Sequence, residues 1–216
     1  MVGRLFYAIL MSTKKFLLVD RKDLIFVALS YETRRFMILA ALFAVLTAVG
    51  AWIRIPFPLV PLTLQVFFVL LSGILLGPFW GPISQTLYLL LALLGLPVLA
   101  GGASGPGVIF LPTFGFLLGF IGASWAAGRY CSLFTEATAW TYGTACLLGL
   151  GALYALGLGG LYWNLNYLAG KELSFLQVCR IGFVPFIAGD LVKMAGAIIL
   201  ARRVGVRLRN LGYLRG

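Results

Sequence analysis

Apolar residues run through this chain in long blocks, parted by short stretches rich in glycine, proline and charge. A helix rises ~1.5 Å per residue, so about 20 apolar residues cross the hydrocarbon layer of a membrane. Six blocks approach that length: 36–53, 62–77, 79–96, 108–127, 139–160 and 176–200. The separators are turn signals. Residues 54–61 contain Pro56, Pro58 and Pro61, which exclude a continuous helix. Gly77-Pro78 predicts a tight turn, and residues 97–107 form a loop carrying Gly101, Gly102, Gly105 and Gly107. Pro112 falls in the first turns of the fourth block and Pro185 inside the sixth. The stretch 139–170 is too long for one upright crossing. It divides into a span ending at Gly160 and an amphipathic tail, 161–168, whose Trp163, Asn164, Asn166 and Tyr167 suit a membrane interface.

Before the first block, apolar pieces alternate with charge and none is long enough to span. The pattern therefore predicts a basic interfacial extension over 1–35, a membrane domain over 36–203 and a basic tail over 204–216. With six crossings, thirteen Lys and Arg fall on the side of the termini, against Arg54, Lys171 and Arg180 on the other. Positive charge stays inside, so both termini are expected in the cytoplasm and the loops 54–61 and 97–107 outside.

Composition agrees: the chain is 62% hydrophobic, its mean hydropathy is +1.03, and only 11% is charged. The predicted class is an all-α, six-helix, multi-pass membrane protein. A net charge of +11 concentrated at the ends suits anionic lipid, not nucleic acid. There is no histidine, and Cys131, Cys146 and Cys179 lack metal-ligand spacing. Neither a paired-carboxylate site nor a Ser-His-Asp arrangement can be built within the apolar blocks, so no enzymatic activity, metal or cofactor is expected. No phosphate-binding Gly-x-x-x-x-Gly-Lys-Ser/Thr sequence occurs, so any ATP-driven step belongs to another subunit.

One acidic residue lies inside a long apolar block. Asp190, in Gly189-Asp190-Leu191-Val192-Lys193, stands three residues before Lys193 and shares its helix face. A charge at mid-membrane costs on the order of 3 kcal/mol and usually faces a polar cavity. The pair either lines a ligand site or serves only as a self-neutralising packing element. Thr63, Gln65 and Tyr88 are further polar groups in the second and third blocks, and Gly101, Gly102 and Ser104 lie in the glycine loop. Ala40, Ala44 and Ala48 recur at four-residue spacing, a smooth face suited to close helix approach, within the chain or with a partner.

Several stretches, taken in order, resemble the BioY family: Pro58-Leu59-Val60-Pro61-Leu62-Thr63-Leu64-Gln65, Leu71-Ser72-Gly73-Ile74-Leu75-Leu76-Gly77-Pro78, Gly95-Leu96-Pro97-Val98-Leu99-Ala100-Gly101-Gly102, Pro112-Thr113-Phe114-Gly115-Phe116, and Gly189-Asp190 with Lys193. The resemblance covers 36–203. It departs where the family often reads Gly-Pro-Thr-x-Gly-Tyr, since Leu111 and Phe116 stand here, which excludes a tyrosine hydroxyl at 116. The resemblance implies a biotin-specific substrate-binding (S) subunit of an energy-coupling factor transporter in a prokaryotic plasma membrane. Such a subunit captures biotin from outside, docks on a transmembrane coupling (T) subunit with two ATPase subunits, and topples to release the ligand inward. The implied ligand residues are Asp190, Lys193, Thr63, Gln65, Tyr88, Gly101, Gly102 and Ser104. The implied coupling-subunit contact is Ala40, Ala44 and Ala48. The alternative is a solitary carrier or channel for a small polar solute, working without ATPase partners. A lipid-modifying enzyme is disfavoured by the missing catalytic groups.

Overall fold

A computed structural model describes residues 21–56 and 59–210. The first helix, α1 (Arg21–Trp52), is followed by two short antiparallel strands, β1 (Arg54–Ile55) and β2 (Leu62–Thr63), and then by α2 (Gln65–Leu93). Two 3₁₀ turns (Ala100–Gly102 and Pro106–Phe110) lead into α3 (Phe114–Cys131). The chain continues through α4 (Ala139–Trp163), a π-helical turn (Asn164–Leu168), α5 (Phe175–Gly182) and α6 (Val184–Asn210). It falls into two units, Met1–Ile38 and Leu39–Gly216, and the second holds the bundle.

The expected interfacial extension is described only in part. Residues 1–20 lie outside the described residues, as do 211–216 of the expected tail. From Arg21 onward the backbone is one helix, because no Gly or Pro occurs until Gly50 to interrupt it. Its stretch apolar enough to cross a membrane is Glu32–Trp52. Gln65–Leu93, Ala139–Leu168 and Val184–Gly205 also have sufficient length and apolarity.

The stretch Gln65–Leu93 is two helical arms. At Gly77 the backbone leaves the helix with φ +79°, a conformation that Pro78 prevents from continuing the first arm and that glycine adopts without a Cβ clash. The arms fold back on each other. Gln65 Nε2 donates to the Tyr88 hydroxyl (2.7 Å), and Gln85 Nε2 donates to Ser72 Oγ (3.1 Å), one pair at each end of the hairpin. The tight turn read from Gly77-Pro78 is this corner.

Three boundaries differ from the sequence pattern. The fourth block begins its helix at Phe114, not at residue 108, because Pro112 cannot donate an intrahelical bond and the preceding residues form a 3₁₀ turn. The fifth does not end at Gly160: α4 runs through Trp163 and the π turn extends it, with Asn164 and Leu165 buried and Trp163 and Tyr167 exposed. The sixth block is two helices. Phe183 breaks the run at φ −122°, ψ −55°, and Pro185 falls in the first turn of α6, where its missing N–H costs nothing.

Small residues set the spacing of the bundle. A methyl group at Gly115 would meet the Gly160 Cα at 2.7 Å, so α3 and α4 touch backbone to backbone. A second tie is polar. Gln85 also donates to Thr47 Oγ1 of α1 (3.3 Å), and Ser72 Oγ meets Ser124 Oγ of α3 at 2.9 Å. These buried groups satisfy one another where no water reaches them.

Candidate ligand-binding site

A cavity of about 330 Å³ opens within the bundle unit, near the lower end of the roughly 300–1,000 Å³ typical of small-molecule sites. Its floor is supplied by α6. Asp190 is buried, with 3% of its surface exposed, and Lys193 follows one helical turn later. Lys193 Nζ donates to Asp190 Oδ1 at 2.7 Å. The other carboxylate oxygen, Oδ2, accepts from the Tyr154 hydroxyl of α4 at 2.5 Å. The carboxylate is therefore held at both oxygens, and an ion pair fixed this way escapes much of the cost of its burial.

The walls are apolar. Phe116 and Phe120 of α3, Leu153 of α4 and Phe186 of α6 face the cavity, with Val60, Leu62 and Val66 from the hairpin and the start of α2. Tyr154 is wedged edge-on between Phe116 (centroids 6.4 Å apart) and Phe183 (4.7 Å), which fixes where its hydroxyl points. Gln65 and Thr63 line another part of the wall. Thr63 Oγ1 donates to Gln65 Oε1 (2.8 Å), and Gln65 Nε2 is spent on Tyr88, so the amide is locked in one orientation.

Two loops complete the cavity lining. The hairpin pairs Arg54 with Thr63 and brings the exposed Arg54 guanidinium to the cavity. The glycine loop contributes Leu99, Ala100 and Ala103. A methyl at Gly101 would stand 2.6 Å from Arg54 Nη1, so the two loops meet where Gly101 has no side chain.

Of the residues singled out in the sequence, Asp190, Lys193, Thr63 and Gln65 line one cavity. Tyr88 stands behind the wall: it holds Gln65 and donates to the Val98 carbonyl (3.1 Å), tying α2 to the glycine loop. Gly101, Gly102 and Ser104 are in that loop but outside the cavity lining; Gly101 packs on Arg54, and Ser104 is exposed. Ala40 and Ala44 are buried in the bundle, 2% and 1% exposed, and Ala48 packs half-buried on the same core. Tyr154 and Phe186 also line the cavity and carry no signal in the sequence, being neutral residues in ordinary helical contexts; Thr113, from the stretch 112–116 that carried the resemblance, joins them.

A bundle with membrane-length apolar helices, enclosing an apolar pocket whose floor is a locked ion pair, defines a membrane protein that binds a small, partly polar solute. The BioY family model matches residues 21–210, and the chain belongs to that family. It is 41% identical over 170 residues to the biotin transporter BioY of Thermotoga maritima, covering 79% of this chain and 95% of that one. It is 39% identical over 168 residues to the probable biotin transporter BioY of Lysinibacillus sphaericus, covering 78% and 85%. Its fold matches the crystal structure of the S-component for biotin from an ECF-type ABC transporter, with a TM-score of 0.69 at 25% identity, over 81% of this chain and 92% of that one. The chain is thus a multi-pass protein of a prokaryotic plasma membrane.

Proposed function

We propose that this chain is the biotin-binding S subunit of an energy-coupling factor importer. The observation that carries the reading is the Asp190–Lys193 pair opening into a cavity with apolar walls. Biotin's ureido ring offers two N–H donors and a carbonyl acceptor. Asp190 accepts an N–H, and Lys193, with two N–H groups beyond its bond to Asp190, donates to the carbonyl. The fused ring and aliphatic chain occupy the space between Phe116, Phe120, Leu153 and Phe186. The valerate carboxylate is directed to Arg54, the exposed cation of the lining. Thr63 and Gln65 contact the ligand from the side wall. Tyr88, Gly101, Gly102 and Ser104 act from outside the lining, by holding Gln65 and shaping the glycine loop.

Six crossings are assigned to α1, the two arms of α2, α3, α4 and α6, with both termini in the cytoplasm. The thirteen-to-three distribution of Lys and Arg supports that orientation. The subunit performs no chemistry itself. A coupling subunit and two ATPase subunits supply the energy, and membrane lipid is its other neighbour. Contact with the coupling subunit at Ala40, Ala44 and Ala48 is supported by their spacing; since Ala40 and Ala44 are buried here, such contact requires α1 to shift on docking.

The test is calorimetric titration of the detergent-purified subunit with biotin, alongside biotin flux into liposomes holding this chain alone. Saturable binding without flux is expected. Flux without partners would replace the reading by that of a solitary carrier, and absence of binding would overturn it.

A further inference from the structure

Among the described residues, Tyr154 is the one hydroxyl that both lines the cavity and touches the central ion pair. Its geometry fixes more than its position. Asp190 Oδ1 is engaged by the Lys193 ammonium, and Oδ2 takes the Tyr154 proton at 2.5 Å. An ionised carboxylate has no proton to give, so the hydroxyl hydrogen is committed to Asp190 and the phenolic oxygen keeps only lone pairs. Rotation of the ring to another hydrogen-bonding direction is opposed by Phe116 and Phe183, which pack edge-to-face on it. Tyr154 is buried, with 7% of its surface exposed.

We infer that Tyr154 is a specificity-determining residue of this site: its hydroxyl, held as an acceptor by Asp190, reads an N–H of the bound cyclic urea and rejects a ligand that presents no donor there. Two neighbouring groups of opposite polarity then face the ligand. Lys193 offers donors and the Tyr154 oxygen offers an acceptor, and both are polarised by the same carboxylate. A urea places its carbonyl between two N–H groups, which is the complement of that arrangement. A ligand with an oxygen or a methylated nitrogen in place of the N–H would leave lone pairs facing lone pairs, or a desolvated oxygen without a partner. The hydroxyl that meets the ion pair comes from α4, while the ion pair itself stands on α6. The inference rests on the biotin reading above and adds to it which side chain enforces donor selectivity.

The experiment measures dissociation constants for biotin and for its two mono-N-methyl ureido analogues, on the wild-type chain, Tyr154→Phe and Asp190→Asn. The phenylalanine keeps the ring that packs between Phe116 and Phe183. On the wild type, both analogues are expected to bind more weakly than biotin. In Tyr154→Phe, biotin should weaken by about tenfold, the worth of one hydrogen bond at a buried site. One analogue should be discriminated against about tenfold less than by the wild type, because the oxygen that its methyl group obstructs is gone. A residue that only stiffens the site would weaken all three ligands by one common factor, and that result overturns the inference. If Tyr154→Phe is not monodisperse, the wild type alone decides: weaker binding of both analogues, one for the N–H taken by Asp190 and one for the N–H taken by Tyr154, supports the inference, and loss with one analogue or neither overturns it. Failure of the underlying biotin reading looks different, since biotin would then show no saturable binding to the wild type.

Discussion

Asp190 neutralises Lys193 and orients Tyr154, and in the proposed binding mode it also accepts from the ligand. Asp190→Asn keeps the shape, replaces an anionic acceptor by a neutral one and strands Lys193 as an uncompensated charge. A charge-assisted hydrogen bond is worth roughly 1.5–3 kcal/mol, so biotin affinity should fall about ten- to a hundredfold. Lys193→Met should weaken binding for the reciprocal reason. The double variant relieves the buried charge and should recover thermal stability more than affinity. Calorimetric titration of the three variants decides the matter: near-wild-type affinity in the double variant would leave the pair a packing element only. This pair was legible in the sequence because a charge in an apolar block is expensive and thus conspicuous. Tyr154 was not, since a neutral tyrosine in a glycine-rich helix is unremarkable until α4 is laid beside α6. Gln65 and Tyr88 were legible as polar groups in apolar blocks, but their division of labour was not. Which of them faces the cavity depends on the fold-back at Gly77.

Helix α4 serves the site by what it omits. At Gly157 a methyl group would overlap the Phe116 ring, and Gly182 likewise leaves room for Leu161 and Leu158. Phe116 is a cavity wall, so the space left by Gly157 sets the width of the pocket. Gly157→Ala should push Phe116 toward the ligand. The helix itself favours alanine by about 1 kcal/mol, so secondary structure should not suffer. Overpacking costs about 1–3 kcal/mol, and the expected result is at least tenfold weaker biotin binding with helical content unchanged by circular dichroism. Unaltered affinity would mean that Phe116 has another rotamer open to it. Element positions were largely legible, because blocks of apolar residues and the prolines between them are local signals. The errors cluster where a proline near a helix start was read as lying inside the helix: at Pro112 the helix begins two residues later, and at Pro185 a new helix begins one residue earlier. Block length alone cannot distinguish one long crossing from a short helix followed by a restart.

For the whole molecule, the two loops and helix α1 are where the proposed capture and docking steps can be tested. The hairpin and the glycine loop both line the cavity, and they meet at Arg54 and Gly101. Binding should raise amide protection in residues 59–63 and 97–107, measured by hydrogen exchange with and without biotin; equal exchange would indicate a site already set before the ligand arrives. Helix α1 poses a sharper question. Its small-residue face is turned into the bundle, while Leu42, Val45 and Val49 on the same helix are exposed. Ala44 is 1% exposed within the core, so Ala44→Leu has no free volume to enter and should destabilise the isolated subunit by about 1–3 kcal/mol. Val45→Leu, one residue on and facing outward, should leave it unchanged. Thermal unfolding of both variants in detergent, without any partner subunit, reads the packing role. Biotin uptake by cells expressing the complete transporter reads the docking role. If α1 must part from the bundle to dock, Ala44→Leu should reduce uptake by more than its loss of folded protein accounts for. Normal stability of Ala44→Leu would contradict the buried position of this face. Uptake that tracks folded protein in that variant would leave Ala40, Ala44 and Ala48 as packing residues and direct the search for the coupling contact to the exposed side of α1.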